Sequence, residues 1–192
     1  MPFNFPIFLT WLRIVLIPLM IAVFYVPEAW LPDISRNLAA ALIFIVAGST
    51  DWLDGYLARR WNETSAFGAF LDTVADKLMV AAALILLVQM DRVDAILATI
   101  IIGREITISA LREWMAQIGQ HKSTAVSMIG KVKTMAQMLA IPLLLYYEPY
   151  GGLDIRLAGT WLIYIAAVLT LWSMFYYMRM AWPHLTSKDE NR

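Results

Sequence analysis

The chain has 192 residues, of which 60% are hydrophobic and 16% charged, against about 25% charged in ordinary soluble domains. Mean hydropathy is +0.64, and six apolar runs of about 20 residues each would take roughly 120 positions, which excludes a separate soluble catalytic domain. Lys plus Arg and Asp plus Glu stand at 15 each, with no cysteine, so global charge offers nothing to nucleic acid and there is no disulfide, thiolate metal site or thiol nucleophile.

These features predict an all-α integral membrane protein, residues 1–192 forming one membrane-embedded catalytic domain with six transmembrane helices and an N-terminal interfacial stretch. The first run covers 5–26, with Asn4 and Pro6 placed as a cap and a first-turn proline. Its opening half, NFPIFLTWLR, is less lipid-like than VLIPLMIAVFYV, and so reads as interfacial, with a kink at Pro18. No Lys or Arg precedes the run and Arg13 interrupts it, unlike a cleaved signal peptide. The second run covers 37–60 and passes from LAAALIFIVAGST into DWLDGYLARRW without a breaker. The remaining runs cover 67–90, 95–115, 132–147 and 157–181. Turn residues separate them, among them Pro27, Pro32, Pro149, Gly151, Gly152 and the segment GQHKS.

Basic residues near the span ends set the orientation. One side collects Arg59, Arg60, Arg112, Lys122, Lys131 and Lys133 with the tail residues Arg179, Lys188 and Arg192; the other has only Arg36, Arg92 and Arg156. Both termini, and the joint between the second and third spans, are therefore expected at the cytosolic face.

That joint carries the chemistry. It reads DWLDGYLARRWNETSAFGAFLDTVAD. On a helix at about 100° per residue, Asp51, Asp54, Gly55, Ala58 and Arg59 fall within an arc of roughly 140°. On the next helix Gly68, Asp72 and Asp76 step by four and form one column. Two carboxylates from each helix can converge on one point. At mid-bilayer each costs roughly 3 kcal/mol, and Arg59 alone cannot balance four. All-oxygen ligation suits hard cations such as Mg²⁺, Mn²⁺ or Ca²⁺. Two divalent ions would neutralise the set and leave positions for phosphate oxygens. Gly55, Ala58 and Gly68 let a bulky ligand approach the backbone, and the Arg59 fork suits a phosphate. The plainer alternative pairs these acids with Arg59, Arg60 and Lys77 at a wet helix end. Four Asp in register with three small residues favour the metal site.

The residues Asp51, Asp54, Gly55, Ala58, Arg59, Gly68, Asp72 and Asp76 reproduce the pattern D-x2-D-G-x2-A-R-x8-G-x3-D-x3-D. In this the chain resembles the CDP-alcohol phosphatidyltransferases. The segments FNFPIFLTWLRIVLIP, FLDTVADK, GREITISALREWMAQIG and GKVKTMAQMLA extend the likeness over most of the length. They resemble the bacterial branch that joins a phosphatidyl group to glycerol 3-phosphate. Thr73 stands where many members have proline. The resemblance implies that Asp51, Asp54 and Asp72 hold a pair of Mg²⁺ or Mn²⁺ ions, with Asp76 beside the metals as general base. It implies room for CDP-diacylglycerol at Asp54, Gly55, Ala58 and Gly68, and pyrophosphate binding by Arg59. The acceptor hydroxyl would then attack the phosphorus attached to diacylglycerol and release CMP. A bacterial cytoplasmic (inner) membrane location and a homodimer are implied in the same way.

An anionic acceptor calls for a cationic pocket near the acids. The fourth span supplies Arg104 and Arg112, about 80° apart, with Ser109 near the same face. The fifth begins with Lys131, Lys133 and Thr134. These four cations are the candidates for the acceptor phosphate, with Glu105 orienting one of them. Against this, Arg104 and Glu105 can be a buried pair, and Lys131 and Lys133 ordinary cytosolic anchors. Arg13, with Thr10, either approaches the same cavity or snorkels to the interface. His121 and His184 read as solvated, the Met residues as packing, and Trp30, Trp61, Trp114 and Trp182 as interfacial belts.

Two alternatives stand beside this reading. One keeps the chemistry and changes the acceptor, to inositol phosphate or phosphatidylglycerol for example. The other makes the four Asp the ion site of a divalent-cation transporter, which the one-sided acids and the absence of a repeated acidic motif argue against.

Overall fold

A computed structural model describes residues 5–61, 66–117 and 128–186, and among these it is all-helical with no β-strand. The helices are α1 (Phe5–Ala22), α2 (Asp33–Trp61), α3 (Ala66–Gln89), α4 (Ala95–Gln117), α5 (Met128–Tyr146) and α6 (Ile155–Thr186). A short 3-10 turn, Val23–Tyr25, follows α1. Carboxylates start two of the helices. Asp94 accepts the Ile96 N–H at 2.7 Å and Asp154 accepts the Leu157 N–H at 3.2 Å. The Leu157 N–H holds the Asp154 carboxyl below its ordinary range. The segment GQHKS, with His121 and Lys122, and the tail from 187 onward lie outside the described residues.

Ile7–Tyr25 and Ile155–Met180 are long and apolar enough to cross a bilayer. α2, α3 and α4 carry charges within their length: Asp51 and Arg60, Asp72 and Asp76, and Arg104, Glu105 and Arg112. Phe5–Ala22 is one helix that continues through Pro18, so the opening half expected to be interfacial and the more apolar half share one element. In that opening half Thr10 and Arg13 are both buried.

The surface is apolar on every helix: Val15, Ile45, Phe70, Ile106, Met135 and Val168 are exposed examples. Within the helices, hydroxyls close on their own backbone. Ser49 donates to the Ile45 carbonyl at 2.7 Å, Thr73 to Ala69 at 2.8 Å and Thr99 to Ala95 at 2.8 Å, which satisfies them without water. One core cluster joins all six helices, with Met20, Phe44, Met79, Ile101, Leu144 and Ile163 among its members. The most extensive packing is between α5 and α6, then between α1 and α2. Gly159 makes the first possible, since a Cβ there would lie 2.8 Å from Leu144 Cγ and 3.3 Å from Leu143 Cβ.

Arg92, in the turn between α3 and α4, fastens one end of the bundle. Its Nη1 donates to the Leu144 and Leu145 carbonyls at 3.0 and 2.7 Å, and its Nη2 to Asn37 Oδ1 at 2.8 Å. The guanidinium carbon sits 4.3 Å from the centre of the Tyr147 ring. A helix C-terminus leaves carbonyls unpaired, and here one cation ties the end of α5 to the start of α2.

Candidate active site

At the opposite end of α2 and near the start of α3, three of the four predicted acids converge. Single carboxylate oxygens of Asp51, Asp72 and Asp76 all lie within 4.8 Å of one another. The four-residue step on α3 puts Asp72 and Asp76 in one column, and α2 brings Asp51 to face them. Each of the three is about a third exposed, at 32%, 35% and 36%. The side chains of Asp54, Gly55, Ala58 and Arg59 on α2, and of Lys131 on α5, lie outside those described, although their backbone is helical. Gly68 is partly buried on α3.

Arg13 is the cation among these acids. Its Nη1 is 2.7 Å from Asp76 Oδ1, 2.8 Å from Asp72 Oδ1 and 3.3 Å from Asp51 Oδ1. The side chain is 0% exposed, which overturns snorkelling, because no part of it reaches an interface. Among the described side chains, one guanidinium meets three carboxylates, an excess of negative charge. A divalent cation matches that charge, and the donor set is all oxygen, as hard cations require. The residues therefore fit Mg²⁺ or Mn²⁺. Thr73, the departure from proline, turns its hydroxyl back to Ala69 and adds no ligand.

A second cluster lies across α4, α5 and α6. Lys133 is paired with Glu105, and Arg104 Nη1 stands 3.5 Å from the same Glu105 oxygen. Arg104 Nη2 donates to Ser173 Oγ at 2.8 Å. Arg112 Nη2 donates to the Tyr177 hydroxyl at 3.3 Å and lies over that ring, 5.3 Å from its centre. Lys133 and Arg104 are both buried, so Lys133 is not an interfacial anchor. Arg104 does pair with Glu105, but the pair is not closed: Arg104 and Lys133 share one carboxylate, and Arg112 lies against Tyr177. The buried Nε atoms of Arg104 and Arg112 have no acceptor among the described residues. Such a site has spare donors and spare positive charge for an anion.

Two cavities reach the acids from different sides of α5 residues that they share. The smaller, about 250 Å³, has Asp72, Asp76 and Lys77 on one side and Glu105, Thr134 and Gln137 on the other. The larger, about 830 Å³, is an apolar groove between α2 and α5, bounded by Leu38, Leu42, Ile45, Leu139 and Tyr146 and reaching Asp51 at one end. Thr134 and Met138 line both.

Residues 3–172 match the CDP-alcohol phosphatidyltransferase family. The chain belongs to that family. Its similarity to named relatives covers nearly all of its length. It is 52% identical over 187 residues to a CDP-diacylglycerol–glycerol-3-phosphate 3-phosphatidyltransferase of Yersinia enterocolitica, spanning 96% of this chain and 98% of the relative. It is 51% identical over 183 residues to the protein of the same name from Escherichia coli K12, spanning 94% and 96%.

Sequence reasoning placed the acids and proposed the cations, but missed Ser173, Tyr177 and Gln137. A signal existed on α6. Thr170, Ser173 and Tyr177 recur at three and four residues on an otherwise apolar helix, the spacing of one face. Gln137 follows Lys133 by four on α5 in the same way.

Proposed function

We propose that this phosphatidyltransferase moves the phosphatidyl group of CDP-diacylglycerol to the 1-hydroxyl of sn-glycerol 3-phosphate, giving phosphatidylglycerophosphate and CMP. The observation that carries the proposal is the small cavity with Asp72 and Asp76 on one wall and Glu105, paired to Lys133, on the other. A compact anion with a reactive hydroxyl suits it when the hydroxyl lies at Asp72 and Asp76 and the phosphate draws on Lys77, which lines the cavity, and on Lys133 and Arg104 beside Glu105. At about 250 Å³ the space is below the roughly 300–1,000 Å³ of pockets for drug-sized ligands, and suits a small acceptor. The apolar groove reaching Asp51 supports a donor whose acyl chains lie between α2 and α5.

Asp76 accepts the proton of the attacking hydroxyl. The acceptor oxygen bonds to the phosphorus that carries diacylglycerol, and the bond from that phosphorus to the CMP oxygen breaks. Arg59 holds the donor pyrophosphate, Asp54, Gly55, Ala58 and Gly68 make room for the CDP group, and Arg104, Arg112, Lys131 and Lys133 hold the acceptor phosphate. Two Mg²⁺ or Mn²⁺ ions, held by Asp51, Asp54 and Asp72 with Asp76 beside them, would offset charge on the attacked phosphate when bound.

The proposal includes six spans in the bacterial inner membrane, with both termini and the acids cytosolic. The basic asymmetry of the loops supports this orientation, and the exposed apolar side chains on all six helices support the spans. Family likeness extends it to a homodimer. The test is CMP release by detergent-purified protein given CDP-diacylglycerol and Mg²⁺ or Mn²⁺, with and without glycerol 3-phosphate. Release that needs both metal and glycerol 3-phosphate supports the proposal. Release only with another alcohol removes the acceptor assignment, and none with any acceptor from folded protein removes the activity.

A further inference from the structure

We propose that Gln137 is a specificity residue, accepting a hydrogen bond from the hydroxyl that the acceptor does not use in the reaction, the 2-hydroxyl of a three-carbon polyol phosphate. The inference rests on the phosphatidyl-transfer reading above and adds which group of the acceptor is read. Gln137 is 4% exposed, lines the small cavity with Asp72, Asp76 and Glu105, and its buried Oε1 has no hydrogen-bond partner among the described residues. Buried side-chain oxygens in native structures nearly always have a partner; Gln137 lines the cavity, and a rotation of its amide toward that space lets a donor arriving with the ligand supply one. The other polar groups of the cavity do not supply it: the carboxylates of Asp72, Asp76 and Glu105, when ionised, only accept, the Thr134 hydroxyl donates to the Gly130 carbonyl, and Lys77 makes no bond to the Gln137 Oε1.

The position of Gln137 gives the donor its identity. Lys133, one turn earlier on α5, is bound to Glu105 on the cationic side, and Asp76 lies on the acidic side. An acceptor bridging the cavity has its phosphate at one end and its reacting 1-hydroxyl at the other. The carbon between them carries the remaining hydroxyl, level with the cavity wall that Gln137 forms. A neutral amide offers an acceptor oxygen without adding charge to a cavity that already has three carboxylates and must admit an anion.

The experiment compares glycerol 3-phosphate with propane-1,3-diol monophosphate, which keeps the phosphate and the reacting hydroxyl and lacks only the middle one. The wild-type chain is expected to prefer glycerol 3-phosphate in kcat/KM by about tenfold or more, because a site built to bond a hydroxyl rejects the analogue without it. Gln137→Met, which keeps the side chain's length, is expected to reduce that ratio to within about threefold, through loss with glycerol 3-phosphate alone. Gln137→Glu retains an acceptor oxygen and should keep the preference while raising KM for both anionic acceptors. An unchanged ratio in Gln137→Met overturns the inference even if both activities fall, since a packing role lowers them together. If Gln137→Met does not fold, the glutamate variant decides: a kept ratio supports the inference and a lost one overturns it. Wild-type protein that releases no CMP with glycerol 3-phosphate would instead remove the phosphatidyl-transfer reading itself.

Discussion

Two arginines, at opposite ends of the bundle, show how one residue type can serve a fold or a site. Arg92 meets two backbone carbonyls, the Asn37 side chain and the face of Tyr147. Its charge and donors are matched by neutral dipoles at a helix end, where a cation is favoured. Arg13 meets three carboxylates through one nitrogen. At the first end the partners of Arg92 are neutral and match its donors. At the second, among the described side chains, the carboxylates outnumber the cation that meets them. The cluster around Glu105 mirrors it with the opposite sign, Arg104 and Lys133 meeting one carboxylate. Charge imbalance in a setting that makes imbalance costly separates the site from the scaffold.

Substitutions at both ends test this contrast. The largest effect is expected for Asp76→Asn, which lowers CMP release by about 10²–10⁴-fold, the usual worth of a positioned general base. Binding of CDP-lipid should survive, because the variant reduces repulsion among the acids; lost binding would make Asp76 a ligand before anything else. Arg13→Gln comes next. Removing one partner of a buried charge cluster costs about 3–5 kcal/mol, seen as a lower midpoint of thermal unfolding in detergent. Mg²⁺ or Mn²⁺ should restore more of that midpoint in the variant than it adds to the wild type, through linkage of binding to folding. Equal metal responses would count against a cation site at Asp51, Asp72 and Asp76.

Arg92→Met should cost about 1.5–3 kcal/mol, the range for hydrogen bonds to charged groups, while leaving KM for both substrates unchanged. A shift in acceptor KM would tie the far end to catalysis and erase the contrast. The smallest effect is expected for Arg104→Ala, where acceptor KM rises by about tenfold, or about 1.4 kcal/mol, and the KM for CDP-lipid holds. Equal changes in both constants would assign Arg104 to folding, alongside Arg92.

Much of the fold follows from local pattern. Apolar runs and the turn residues between them place all six helices, with ends displaced by a few residues: α2 begins at Asp33 instead of 37, and α6 extends to Thr186 instead of 181. The carboxylate column on α3 is equally local, since a step of four along a helix is a geometric certainty once the helix forms. Hydropathy scores Arg13 and Thr10 as polar and carries no sign that the bundle interior buries both.

Sequence by itself determined the helical class, the family signature from Asp51 to Asp76, and the kinds of charge available to a site. Tertiary structure decided which charges meet. Arg13 lies 59 and 63 positions from Asp72 and Asp76, Arg104 lies 69 from Ser173, and Gln137 faces acids on another helix. Helix periodicity relates residues three, four or seven apart; it is silent on which face of one helix turns toward another. That choice comes from packing all six at once, with the polar groups brought together where each can be satisfied or left for a ligand.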